Sequence, residues 1–223
     1  MKRIFLLLAI AMLALFSVAC ANNANNNTDK TVATHNEAVG KTSPLTGKKI
    51  LVAYFSATNN TKKVAEELAK ATGADIYRIE AAESYSANPY DDKDRIQKEA
   101  YENLRPAVKI PLPAGEMAKY DIIFVGSPIW WHQPAMVVCT FLESYDLSGK
   151  TVVPFFTYGA RSYLNESMQR IYKSTPNSVH VPANLPKDIE PNNIQQPQND
   201  DDGIIMPADV DNIDIWLKAL QLK

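Results

Sequence analysis

The sequence predicts an α/β fold, a doubly wound five-stranded parallel sheet with helices on both faces. Three observations carry that expectation. Short unbroken apolar runs, such as Ile50-Leu51-Val52-Ala53-Tyr54-Phe55, suit strands buried on both faces. Amphipathic stretches of helical period separate them. The two kinds of segment alternate along residues 48–223 instead of segregating. The composition agrees: 46% of residues are hydrophobic, enough for a core and incompatible with wholesale disorder. A formal net charge of −2 argues against a nucleic-acid partner. Two cysteines cannot build a disulfide scaffold or a four-cysteine metal site, and His35, His132 and His180 show no ligand spacing, so no metal is expected. With only 8 glycines, any glycine-rich nucleotide loop is short or absent.

The folded part is expected to begin near Lys48, with the first strand at residues 50–55. A helix follows over residues 61–71, with Val64, Leu68 and Ala71 on its apolar face. Residues 75–79 form a short second strand. A polar insert follows over residues 80–113, helical in 91–104. The third strand is Asp121-Ile122-Ile123-Phe124-Val125. The next helix covers residues 133–142, with Pro134 suited to its first turn. Residues 151–157 make the fourth strand, although Pro154 within it cannot donate to a ladder. A fourth helix spans 163–172, and Val179-His180-Val181 is a short last strand. Six of the 14 prolines lie from Pro176 onward, where the pattern weakens. A closing amphipathic helix over 208–220 places Val210, Ile213, Trp216, Leu217 and Leu220 on its buried face.

Residues 1–20 have the layout of a secretory signal: Lys2 and Arg3, an apolar run from Ile4 to Phe16, then small residues. The run is shorter than the roughly 20 residues a membrane span needs. Ser17-Val18-Ala19-Cys20 resembles a bacterial lipobox, which makes Cys20 the expected lipidation site and new N-terminus. Ser17 departs from the aliphatic residue usual there, and Ala19-Cys20-Ala21 also fits ordinary cleavage. The expected location is therefore the cell envelope outside the cytoplasm, lipid-anchored, with a secreted or periplasmic soluble form as the alternative. Residues 21–47, asparagine-rich and without periodicity, read as a polar tether that includes His35.

In an open α/β sheet, ligands bind at the carboxyl ends of the strands. Three strand-to-helix turns lie there. The first is Ser56-Ala57-Thr58-Asn59-Asn60-Thr61, rich in hydroxyls and amides and ending at a helix N-terminus, where free N–H groups favour an anion. It lacks the lysine of a P-loop and the glycines of a dinucleotide fingerprint. A plain helix cap is the competing explanation. The second is Gly126-Ser127-Pro128-Ile129-Trp130-Trp131-His132-Gln133-Pro134. Its paired tryptophans offer a flat aromatic wall, or else a latch over the sheet. The third is Thr157-Tyr158-Gly159-Ala160-Arg161-Ser162.

Tyr54-Phe55-Ser56-Ala57-Thr58-Asn59-Asn60-Thr61-Lys62-Lys63-Val64-Ala65, followed later by Gly126-Ser127-Pro128-Ile129-Trp130-Trp131, resembles the flavodoxin family. The branch it resembles opens its domain with YFS-x-T-G-N-T and follows its third strand with G-S-P-I-W-W. Tyr85-Ser86 and Asn103-Leu104-Arg105-Pro106 in the insert are similar too. The resemblance implies strand order 2-1-3-4-5 with FMN at the switch point. It implies that Ser56, Thr58, Asn60 and Thr61, with Ala57 and Asn59 in the same loop, hold the phosphate. It further implies that Pro128, Ile129, Trp130 and Trp131 lie along the ring and that Thr157, Tyr158, Gly159 and Ala160 close the other side. Read by itself, His132 is either a donor to the flavin edge or a surface residue. Asn59 stands where that branch carries glycine, and asparagine is the residue that next best tolerates a left-handed turn.

The function implied is electron transfer by bound FMN, with a redox partner protein. Because NAD(P)H is not expected outside the cytoplasm, a membrane-bound donor is the expected partner. Two alternatives stand beside it: an FMN-dependent quinone or nitro reductase, and a flavin-free binding lipoprotein on the same fold. Arg161, if it faces the ring, is expected to raise the midpoint potential; a solvated surface arginine is the alternative. Cys139 lies on an apolar helix face and reads as core. Asp200-Asp201-Asp202-Gly203 reads as a solvated acidic turn, because Gln198 stands in the place of a first calcium ligand.

Overall fold

The computed structural model of the chain describes residues 43–159, 163–181, 204–206 and 213–222. Cys20 with the signal-like segment, His35 with most of the tether, Ala160, Arg161, Ser162, the acidic turn 200–203 and Val210 lie outside the described residues. Among the described residues no helix is long and apolar enough to cross a membrane.

Strand β1 (Ile50–Tyr54) is buried at all five positions and pairs in parallel with β2 (Asp75–Arg78) on one side and β3 (Ile122–Trp130) on the other. Strand β5 (Thr151–Tyr158) continues in parallel from β3, and β6 (Val179–His180) follows it. The order is β2-β1-β3-β5-β6. With the two-residue β4 (Gln133–Pro134) set aside, this is the expected order 2-1-3-4-5. One strand was not foreseen: β7 (Ile204–Met206) runs antiparallel to the carboxyl half of β5, pairing with Phe156, Thr157 and Tyr158.

The two edge strands also explain Pro154. Thr151 donates to Asp121 O in the direction of β3, and Val152 O accepts from Val181 on the other side. Alternate residues face alternate edges, so Pro154 faces the outer edge. There β6 reaches only Val152 and β7 begins at Phe156. The missing donor falls where no strand among the described residues waits for it.

Helices α1 (Asn60–Thr72), α4 (Met136–Glu143), α5 (Leu164–Ser174) and α6 (Ile213–Ala219) flank the sheet; α1 packs with α6, and α4 with α5. From β1 the chain crosses outward to β2, and from β3 it crosses the opposite way to β5. Crossovers of one hand therefore put their helices on opposite faces. Helix α1 buries Thr61, Val64, Ala65 and Leu68; Ala71, expected on that face, is exposed beside the Gly73 cap. The insert forms a 3₁₀ turn (Pro89–Asp92) leading into α2 (Lys93–Tyr101), and α3 (Ala114–Met117) precedes β3. Cys139 is fully buried in α4, and burial pushes its thiol up, as suits a core residue.

The amino ends of the strands are clamped by polar contacts. Lys49 pairs with Asp75 at 2.6 Å, and Tyr120 Oη donates to the same carboxylate at 3.0 Å. These contacts hold the Asp75 carboxyl below its ordinary range, Lys49 contributing most.

Gly126 lies between β1 and β5 partners, opposite Tyr54 and Phe155. A Cβ there would fall inside the van der Waals envelope of the Phe155 ring, itself fully buried. Gly126→Ala is expected to destabilise the fold by about 1–3 kcal/mol through overpacking. Urea unfolding measures this, and an unchanged midpoint would contradict the packing described.

Candidate functional site

Strands β1, β3 and β5 end at the same edge of the sheet, and the segments that follow them meet in a cleft of about 700 Å³. That size suits a small-molecule ligand. Ten residues expected at the site line it: Thr58 and Asn60 from the first segment, Pro128, Ile129, Trp130, Trp131 and His132 from the second, and Thr157, Tyr158 and Gly159 from the third. Ser56, Ala57, Asn59 and Thr61 belong to the same first loop but are not among the residues that line the cleft. Ala57 is partly buried against the core.

The first loop is shaped for an anion. Asn59 takes the left-handed conformation, φ 67° and ψ 2°, which asparagine tolerates. It starts α1 without a side-chain cap, and no acid occupies the first turn. The N–H groups of a first turn have no acceptor within the helix, so this positive end is uncompensated by its own sequence. Ser56 Oγ is buried and has no hydrogen-bond partner among the described residues. Thr61 Oγ1 lies 2.8 Å from Thr157 Oγ1, a buried bond that ties the first segment to the third.

The second segment is not the loop that the sequence suggested. Strand β3 runs on through Gly126-Ser127-Pro128-Ile129 to Trp130 because β5 extends beside it as far as Thr157. The chain then turns back, and Trp130 pairs with Gln133 in an antiparallel bridge. Pro134 consequently lies in β4 and not in the first turn of a helix; α4 starts at Met136. Ser127 Oγ accepts from Ala135 N at 2.9 Å and holds this return in place.

The two residues of the turn, Trp131 (φ 46°) and His132 (φ 67°), both have positive φ. A two-residue hairpin needs that geometry to match strand twist, and Asn-Gly usually supplies it. For bulky residues it costs on the order of 1–2 kcal/mol each. The start of α5 offsets the strain. The His132 ring stacks on Tyr163 at 3.6 Å, and Ser167 Oγ donates to His132 O at 3.2 Å. The Gln133 amide is held between Glu166 and Arg170.

Behind the wall, Trp130 meets Phe55 and Tyr85 edge to face, at 5.3 and 5.2 Å. Tyr85 Oη donates to Glu99, which also accepts from Arg95 Nε. Burial, then this carboxylate, push the Tyr85 hydroxyl far above its ordinary range.

Sequence reasoning left out the insert. Pro89, Tyr90, Lys93 and Ile96 line the cleft, as does Tyr163. The available signal was Asn88-Pro89-Tyr90, an aromatic residue inside a polar turn; Asn88 Oδ1 accepts from Tyr90 N there. Among the described residues no group of His, Cys, Asp or Glu could hold a metal ion. The arrangement can seat an anion at the α1 end and a flat ring against the tryptophans.

Comparison with known proteins agrees with this fold. The sequence model for flavodoxin matches residues 49–195. A candidate flavoprotein from Bacteroides eggerthii is 31% identical, with a TM-score of 0.59 over 79% of this chain and 99% of that one. Another from Bacteroides uniformis is 35% identical, with a TM-score of 0.52 over 60% and 89%. A flavoprotein from Lactobacillus acidophilus, solved in complex with FMN, shares the fold at 23% identity and a TM-score of 0.51, over 60% and 90%. No curated protein matches the sequence. With the strand order and the family match in agreement, the chain belongs to the flavodoxin family.

Proposed function

We propose that this chain binds FMN in the cleft and transfers electrons for a redox partner protein. We further propose that lipidated Cys20 anchors it outside the cytoplasmic membrane. The observation that carries the FMN reading is the convergence of an uncompensated α1 N-terminus and a tryptophan wall on one cleft. The buried, unpartnered Ser56 Oγ fits the same ligand, because a phosphate oxygen would satisfy it. FMN, when bound, supplies one- and two-electron chemistry. The chain's own residues bind and orient it. Thr58, Asn60 and the first-turn N–H groups of α1 receive the phosphate, and Trp130 and Trp131 receive the ring. The His132–Tyr163 stack keeps the turn rigid. The Lactobacillus acidophilus flavoprotein in complex with FMN supports the choice of ligand.

A second reading, an FMN-dependent quinone or nitro reductase, is favoured by one observation. Tyr90 is 83% exposed and Trp131 39% exposed at the cleft, which leaves the ring's place reachable from solvent.

Fluorescence titration should find FMN binding at least about tenfold more tightly than riboflavin, since only FMN carries the phosphate. Ser56→Ala is expected to remove about tenfold of that preference while leaving riboflavin affinity unchanged, as fits loss of one bond to a charged group. Equal affinities for the two flavins would contradict the assignment of the loop. For the anchor, cell fractionation should find the full chain with the membranes and Cys20→Ser in the soluble fraction. A Cys20→Ser protein that stays with the membranes would contradict lipidation there.

A further inference from the structure

We propose that Lys93 and Tyr90 form a subsite at the cleft for a planar anionic small molecule, the acceptor of electrons in the FMN reading on which this inference rests. Among the described residues lining the cleft, Lys93 is the one formally charged side chain other than histidine, and no carboxylate lines it. Its side chain is exposed, and its ammonium has no ion pair or hydrogen bond among the described residues.

Asp91, Asp92 and Asp94 flank it in sequence, but none forms an ion pair with its ammonium among the described residues. Asp92 accepts from Ser86 N, and Asp91 accepts from Asn88 Nδ2 at 3.1 Å and Ser86 Oγ at 3.2 Å. Asp94 is adjacent in α2, and consecutive helical residues face apart. Lys93 is also the first residue of α2, where a cation opposes the helix dipole. A lysine placed against its own helix, free of partners and bordering a cleft without carboxylates, is explained by an anion that the cleft admits.

Tyr90 supplies the second half of the subsite. Tyr90 is 83% exposed although it borders the cleft, and Asn88 fixes its backbone through the cap to Tyr90 N. A large aromatic face held out in water gains from stacking on a planar ligand. The subsite therefore reads a flat ring and a negative group together. It belongs to the insert, whereas the phosphate loop belongs to α1, so the two anion positions lie on different elements.

The test uses anthraquinone-2-sulfonate and its uncharged analogue 2-(hydroxymethyl)anthraquinone as probes, read by calorimetric titration without turnover. Both are titrated into the protein with and without FMN, and FMN is titrated separately. Lys93→Gln should weaken the sulfonate about tenfold, abolish the salt dependence of its binding and leave the uncharged analogue within about twofold. FMN affinity should also stay within about twofold. Tyr90→Ala should weaken both anthraquinones alike. An unchanged sulfonate affinity in Lys93→Gln, or equal weakening of both probes, would overturn the subsite. A parallel loss of FMN affinity would overturn it too, by assigning Lys93 to the flavin phosphate. Failure of the unaltered protein to bind FMN would overturn the flavin reading alone, because the titration without FMN still reports on Lys93.

Discussion

Strands β1, β3 and β5 are buried on both faces and lie in parallel register, Val52 beside Phe124 and Phe124 beside Val153. Parallel strands must end on one side, and crossovers of one hand must leave the sheet in opposite directions from its middle. Those two constraints put the segments after β1, β3 and β5 at a common edge whatever their own sequences. The buried Thr61–Thr157 bond then fixes the first segment to the third. Side chains separated by about a hundred positions thus share one cleft.

Much of this was legible in the residues. The apolar runs at Ile50-Leu51-Val52-Ala53-Tyr54 and Ile122-Ile123-Phe124-Val125 have no amphipathic alternation, which marks strands covered on both faces. Asn59 was legible as well, because few residues other than glycine accept the left-handed start of α1. The extension of β3 to Trp130 was not. Gly126, Ser127 and Pro128 carry turn signals, and only the neighbouring β5 keeps them extended. The reversal at Trp131-His132 was equally hidden, since neither residue favours positive φ, and the groups that hold it belong to α5, some thirty positions later. Strand β7 follows an acidic stretch as three isolated apolar residues, too short for periodicity to reveal.

The strained turn and the insert give the cleft its particular character. Local preference is overridden at Trp131 and His132, and such overrides concentrate where a site requires a fixed geometry. The Phe55–Tyr85–Trp130 cluster joins the insert to the same wall, with the Glu99–Arg95 pair beneath it. The insert is therefore packed into the site's support, and through Tyr90 and Lys93 it also borders the open cleft. The sheet sets where the cleft lies, and the insert supplies part of its rim.

The central claim is that the cleft is an FMN site. Its most direct test is the visible absorption spectrum of the purified protein, recorded after FMN is added and the excess removed by desalting. The account predicts flavin absorption that stays with the protein at one FMN per chain, with its bands displaced from those of free FMN by the tryptophan wall. A protein that emerges colourless, with all the flavin in the small-molecule fraction, would contradict it.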